Sequence, residues 1–439
     1  MNEEAKSSLL PCPTRRQFLA TAAAGLALWP WDERADGQPT GPVMPKLAAY
    51  DDLMTSFLRE HKPPGAALAV AYHGRLVYAR GFGHADLEKR EAVRPASLFR
   101  IASVSKPFTA TAVMHLVEQG TLHLDERVFP LLKLQPHLER GARLDPRWHE
   151  ITVRHCLQHT GGWNRDKSFD PMSAQTAEEV ARALRVPLPV HPRQIIRYTM
   201  GKPLDFNPGT AYVYSNFGYC VLGRVIEAVS GKPYHEYVRE KILAPLGIRG
   251  MQLGKNLLKD RAAGEVKYYD SGHRTGRAIC GPKIGAQVPL PYGVECIESM
   301  DANGGWIASA VDLVRFATAL DDPKRCPLLS EDSLRTMFAP PPGSVGHGPK
   351  GRPKPTYYAC GWDVRPAGQA DKYTKWHGGL LAGSSTLLVS RDDGIDWAVL
   401  FNSDAGKDGK EFAGLIDPLL HKPASEIKDW PEIDLFPRF

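Results

Sequence analysis

No stretch of this chain is apolar for the roughly 20 residues that a helix needs to cross a bilayer. It contains no C-x-x-C pair and no H-E-x-x-H, so the commonest zinc spacings are missing. His155 and His159 are four apart on an expected helix, but no Glu follows His155, and the pair reads as structural rather than metal-binding. There is no Walker-type glycine loop and no dinucleotide-binding fingerprint, so nucleotide cofactors have no recognisable seat. Runs of basic residues are also lacking. The 55 Lys and Arg against 49 Asp and Glu leave a net charge of only +6, spread along the chain, which argues against nucleic acid as a partner.

What is present suits a large globular protein. The 439 residues are 43% hydrophobic and 24% charged, enough for an extensive core and close to the globular average. At the N-terminus, Thr14-Arg15-Arg16-Gln17-Phe18-Leu19 precedes a short Ala-rich apolar run ending at Leu28. That order resembles a twin-arginine secretory leader. The expectation is an exported protein, periplasmic or extracellular, with residues 1–43 as leader and linker and no membrane span in the mature chain. Cys12 would leave with the leader. Of the six remaining cysteines, Cys280 and Cys296 share one irregular segment and are the single candidate pair for a bridge.

Hydrophobic periodicity outlines the fold. Leu47, Tyr50, Leu53, Met54, Phe57 and Leu58 recur at helical spacing until Pro63-Pro64-Gly65. Apolar runs on either side of His73-Gly74 predict a hairpin, and a second is predicted around Arg391-Asp392-Asp393-Gly394 near the other end. Between them lie expected helices over 107–119, 217–230 and from Ser309 onward, and a last one over 411–420 with a kink at Pro418. This order predicts an α+β, two-lobed architecture: an antiparallel sheet built from both chain ends and flanked by helices, with an inserted, mainly helical lobe. The sheet lobe would take residues 44–95 and 303–422, the helical lobe 96–302, and residues 423–439 would be a tail. The segments 265–302 and 340–356 read as surface loops.

Three short motifs can carry chemistry. In Ser103-Val104-Ser105-Lys106 the serine and lysine share one face of a helix start. A second S-x-x-K, Ser425-Glu426-Ile427-Lys428, falls in the expected tail and reads as coincidence. Lys106 can serve as a base near neutrality only if its pKa falls from about 10.4 to roughly 7–8, which costs about 4 kcal/mol. A helix dipole supplies only about 0.3–1 kcal/mol. Desolvation must do the rest, so Lys106 is expected to be buried. Tyr214-Ser215-Asn216, on a loop before a helix, offers a phenol for proton transfer and an amide for positioning; an ordinary N-cap is the competing reading. His377-Gly378-Gly379 precedes the second hairpin, where paired glycines permit close approach to a strand edge.

The order Ser-x-x-Lys, Tyr-x-Asn, His-x-Gly resembles the serine β-lactamase-like family, which includes class C β-lactamases, penicillin-binding proteins, D-stereospecific peptidases and β-lactamase-fold esterases. The segments 99–106, 151–162 and 208–219 are similar to that family's as well, and the resemblance covers roughly residues 45–420. It implies a hydrolase in which Ser103 forms an acyl-enzyme. Lys106 and Tyr214 share the acid and base work, and Asn216 positions Lys106 and substrate. His377 and Gly379 border the substrate, and the N–H groups of Ser103 and Leu380 form the oxyanion hole. It implies no cofactor and no metal; the partner is a small molecule or peptide with an ester or amide bond. Many β-lactamases carry Lys where this chain has His377, which shifts the expectation towards esters or amides other than β-lactams. The alternatives are a β-lactamase or DD-carboxypeptidase, or an inactive binding protein of the same fold. Trp163 and Trp376 are candidates for either the acyl pocket or the core.

Overall fold

The computed structural model describes residues 38–368 and 372–439. The paired arginines, the apolar run after them and Cys12 lie outside the described residues. Residues 39–41, expected as linker, are laid against the sheet: Thr40 exchanges backbone hydrogen bonds with Gly81, and Arg80 Nη2 donates to the Pro39 carbonyl at 2.6 Å.

Strands β1 (Gly65–Tyr72) and β2 (Arg75–Asp86) form the first hairpin. His73 and Gly74 both take positive φ, 47° and 79°, as a two-residue turn between twisted strands requires. The sheet continues with β3 (Glu91–Ala92), β4 (Tyr357–Tyr358), β5 (Asp363–Pro366), β6 (Tyr373–Leu381), β7 (Ser384–Ser390) and β8 (Ile395–Phe401). Its spatial order is β3-β2-β1-β8-β7-β6-β5-β4, and each pairing is antiparallel. The first and last long strands, β1 and β8, therefore meet at its centre, so the sheet closes only when both ends of the chain are in place.

Side-chain alternation splits the core in two. Leu68, Val70, Trp397, Val399 and Phe401 face α1 (Ala48–His61), where they meet Tyr50, Met54 and Phe57. Ala67, Ala69, Ala71 and Ala398 face the other way, towards the helical elements. On that side lie α2 (Ser105–Glu118), α3 (Asn216–Ser230), α4 (Ile297–Gly304) and α5 (Ala310–Ala319). The alanines let α5 lie close against β1, and Ser309 and Asp312 close a capping box at its start. The last helix, α6 (Phe412–Glu426), runs past Pro418 and takes in Pro423, further than its expected end.

Two expectations need correcting. Residues 423–439 are no free tail. Trp430 stacks on Tyr72 at 4.6 Å, the Leu435 N–H donates to the Leu76 carbonyl, and Leu435 is fully buried. Apolar residues at modest density, too sparse to show a period, anchor this segment. Nor is 265–302 only a surface loop: Val266, Tyr268, Ile279 and Ile297 are buried, and its last part is α4.

One polar cluster lies inside the sheet lobe. Lys375 Nζ donates to Asp321 Oδ1 (3.0 Å) and Ser390 Oγ (2.8 Å), and Ser390 Oγ donates to the same carboxylate oxygen at 2.6 Å. Asp396, opposite Ser390 in the β7–β8 register, is fully buried, and neither its oxygens nor Asp321 Oδ2 meets a protein donor. One ammonium cannot neutralise both the buried Asp396 and the half-buried Asp321 carboxylate. Burial first, then the charge of Asp321, holds the Asp396 carboxyl well above the usual carboxylate range. The protonated form of Asp396 is thereby favoured, and in that form it can donate to Asp321. A folded-state pKa raised in this way favours folding at low pH, and that contribution fades as pH rises. We predict that Asp396→Asn, which keeps a donor and removes the titration, gains in Tm relative to the wild type as pH increases from about 4 upward. Thermal melts of both proteins across that range check this; parallel curves would refute it.

Candidate active site

The nucleophile turn is suspended from its neighbours before it contributes any chemistry. Phe99 and Arg100 pair with Ala308 and Ile307. From β7, Ser384 Oγ donates to the Arg100 carbonyl (2.6 Å) and Thr386 Oγ1 to the Ile101 carbonyl (3.0 Å). The buried Arg100 guanidinium donates to the carbonyls of Pro291 (2.6 Å) and Lys255 (2.8 Å) and lies 4.4 Å from the Tyr268 ring centre. With both sides secured, Ala102 is held at φ 47°, a left-handed conformation that costs a non-glycine residue about 1–2 kcal/mol. Residues Ala102–Val104 make a single 3-10 turn that runs directly into α2, and Ser103 is the one residue of that turn left partly open to solvent.

Lys106 is completely buried one turn along, as its required acidity shift demands. Its Nζ lies 2.9 Å from Ser103 Oγ, 2.8 Å from Asn216 Oδ1 and 2.8 Å from the carbonyl oxygen of Asn303. None of these partners is an anion. Burial foremost, and then the positive charge of Arg165, draws the Lys106 pKa far below that of an ordinary lysine, against a weaker opposing pull from Asp170. A neutral amine has two N–H donors and one lone pair. The Asn216 and Asn303 oxygens take the donors, which leaves the lone pair facing the Ser103 hydroxyl.

Tyr214 completes the group. Its phenol donates to Ser103 Oγ at 2.7 Å, and burial raises its pKa, so the proton stays on the phenol in the resting state. Ser215 makes no side-chain cap to α3 and Asn216 points to Lys106, so the N-cap reading does not apply to either.

His377, on β6, is buried. Its Nδ1 lies 2.7 Å from the Gly378 carbonyl and its Nε2 3.0 Å from the Tyr358 hydroxyl. Burial above all pushes its pKa down to about 3, so the ring is neutral. Of the two glycines that follow, only Gly379 is sterically required. A Cβ there would sit 2.3 Å from both the Ile101 carbonyl and Thr386 Oγ1, whereas at Gly378 the nearest atom is 3.9 Å away. Leu380, next on the strand, is an exposed apolar side chain.

Some sequence-level candidates fall elsewhere. His155 caps its own short helix, its Nδ1 accepting the Thr152 N–H at 3.2 Å. His159 instead packs between Tyr214 and Tyr358, with ring centres 4.4 and 4.3 Å away, and accepts the Ser215 N–H on Nδ1. The two histidines do not converge on a common point. Trp163 is core, against Trp148 and Phe217. Trp376 packs with the α1 side of the sheet, one residue out of phase with His377, so it does not line the acyl pocket. Sequence reasoning missed Asn303, Tyr358 and Arg165. Asn303 acts through its carbonyl, which any residue has, and Tyr358 arrives from a two-residue strand; neither leaves a motif.

Comparison with known proteins gives the family. A family model described as Beta-lactamase matches residues 50–419. Esterase EstB of Burkholderia gladioli is 33% identical over 252 residues, 56% of this chain and 59% of that one. Penicillin-binding protein 4* of Bacillus subtilis (strain 168) is 26% identical over 337 residues, 75% of this chain and 66% of its own length. The matches thus span about three fifths to two thirds of these relatives. Among solved structures, the octameric penicillin-binding protein homologue from Pyrococcus abyssi superposes with a TM-score of 0.62 at 26% identity, covering 87% of this chain and 78% of the other.

Two predictions follow from the contacts. Gly379→Ala should lower the acylation rate of Ser103 by about 10²-fold or more, because the strand must withdraw from the nucleophile turn, while Gly378→Ala stays within about threefold. Rates with a fluorophosphonate probe decide this, and equal effects at both glycines would refute it. Tyr214→Phe should slow acylation by about 10²–10⁴-fold without changing the melting curve much.

Proposed function

Because the chain belongs to the beta-lactamase family, we propose that it is an exported serine hydrolase that cleaves an ester or amide through a Ser103 acyl-enzyme. The observation that carries this reading is the fully buried Lys106 amine, 2.9 Å from a serine oxygen that also accepts from the Tyr214 phenol. Ser103 Oγ attacks the substrate carbonyl carbon as its proton passes to Lys106 Nζ. The carbonyl oxygen becomes an oxyanion, for which the N–H groups of Ser103 and Leu380 are the candidate donors; one such donor is typically worth about 3–4 kcal/mol. The tetrahedral intermediate collapses as Tyr214 gives its proton to the leaving oxygen or nitrogen and recovers one from Lys106. Water then attacks the acyl-enzyme by the same steps in reverse.

Esters or non-β-lactam amides are favoured as substrates. A neutral, buried His377 offers no cation to a substrate carboxylate. EstB, the relative at 33% identity, is described as an esterase. A second reading, β-lactams or peptides ending in a D-residue, draws on Arg165, whose guanidinium lies 5.8 Å from the Tyr214 ring and could receive a carboxylate. Retention of the fold without turnover is the remaining alternative. The Arg15-Arg16 leader supports export to the periplasm or beyond.

Intact mass after exposure to a fluorophosphonate, and separately to penicillin, tests the mechanism. The expected result is a fluorophosphonate adduct that maps to Ser103 and is lost in Ser103→Ala. No adduct from either reagent on folded protein would favour a binding protein. On substrates, a short-chain nitrophenyl ester should be turned over at least about tenfold faster, by kcat/KM, than a chromogenic cephalosporin. The reverse order would assign the chain to β-lactams. For export, Arg15→Lys with Arg16→Lys should leave unprocessed protein in the cytoplasm.

A further inference from the structure

The segment between Cys280 and Cys296 leaves the helical side of the protein and returns to almost the same point. The N–H groups of Ile279 and Cys280 both donate to the Gly293 carbonyl, at 2.8 and 3.2 Å. The Cys280 thiol lies 3.4 Å from that carbonyl and 3.5 Å from the carbonyl of Glu295, the residue just before Cys296. The Cys296 sulfur in turn lies 3.0 Å from Ser299 Oγ. Both residues are buried and unbridged. Cys280, though not Cys296, lines a surface cavity of about 920 Å³, through which a small reagent can reach the edge of the pair.

Cys296 has a second attachment. It immediately precedes α4, and its carbonyl accepts the N–H groups of Ser299 and Met300, both at 3.0 Å. The same helix carries Asn303, whose carbonyl takes a hydrogen bond from the Lys106 amine. Asn303 lies beyond a break in α4 at Asp301 (φ 4°, ψ −82°), so the tether at Cys296 is linked to the base through two short helical pieces.

We propose that Cys280 and Cys296 are a redox-active dithiol that a small disulfide converts to an intramolecular disulfide, and that its state alters the acylation rate of Ser103 through α4. The rate effect rests on the hydrolase reading; the bridge does not. The exchange balances. The Cys296 thiolate attacks one sulfur of R–S–S–R, and the departing R–S⁻ takes up a proton. The Cys280 thiolate then attacks the Cys296 sulfur of the mixed disulfide and expels the second R–S⁻, which is also protonated. Two protein thiols are oxidised and one small disulfide is reduced to two thiols. The local environment suits Cys296 to the first step. Its pKa is drawn below that of an ordinary thiol, first by the hydrogen bond from Cys280, against burial and with help from Ser299.

The test uses the full chain, treated with glutathione disulfide, alkylated under denaturing conditions and peptide-mapped. The expected product is a linked pair of peptides bearing Cys280 and Cys296, about 2 Da lighter than the two thiol peptides together and opened by dithiothreitol. Cys280→Ser should instead accumulate a glutathione adduct on Cys296. Wild-type protein in which both cysteines remain alkylatable, or carry only stable adducts, overturns the proposal. Fluorophosphonate acylation should change by about threefold or more on oxidation and return on reduction. In the Cys280→Ser, Cys296→Ser double variant it should not respond. A bridge that leaves the rate unchanged overturns the coupling through α4. A Ser103 that never acylates overturns that coupling together with the hydrolase reading, while the peptide map still decides the bridge.

Discussion

The structure is organised around an amine kept from water without a counter-ion. Burying a charged ammonium alone would cost far more than a folded domain can spare, so the group gives up its proton instead. Lys106 then needs two acceptors for its N–H groups, and these come from distant places: the Asn216 side chain at the start of α3 and the Asn303 carbonyl in α4. Three helices must converge within hydrogen-bond reach for this to hold. The helices α2, α3 and α4 all pack against one another, and Val113 and Leu116 of α2 are buried in the common core. The lone pair that remains faces the adjoining serine, as the proposed acylation requires.

The second constraint is the seam between the nucleophile turn and the sheet. Ser384 and Thr386 of β7 tie down the carbonyls of Arg100 and Ile101, and β6 approaches the same carbonyl so closely that residue 379 has no room for a side chain. Strain at Ala102 persists because both flanks are over-determined. Helical and sheet parts thus meet at Ser103: one supplies the base and the phenol, the other the strand edge against which a substrate carbonyl would lie.

Much of this was legible in the sequence. The two hairpins, the capping box at Ser309 and the helices after Lys106 and Asn216 follow from local pattern and turn chemistry, which depend on neighbours in the chain. The demand that Lys106 be buried follows from a comparison of energies alone. Other features were not legible. The anchoring of residues 423–439 rests on a few apolar contacts, Trp430 with Tyr72 and Leu435 near Leu76, too sparse to show a period. Trp376 was a candidate for the pocket until the pleat put it on the opposite face from His377.

By itself, the sequence determined which chemical groups were available and their local settings: a serine and a lysine a turn apart, a tyrosine two residues before an asparagine, a glycine at a strand edge. Only the tertiary structure decided which of them meet. It brought Tyr214 to the serine across more than a hundred residues, chose the Asn303 carbonyl from among hundreds of identical groups, and set Tyr358 against His377. The physical reason is that local propensity is encoded by side chains close in the chain, whereas desolvation and hydrogen-bond completion depend on whatever the packed core places within a few ångströms.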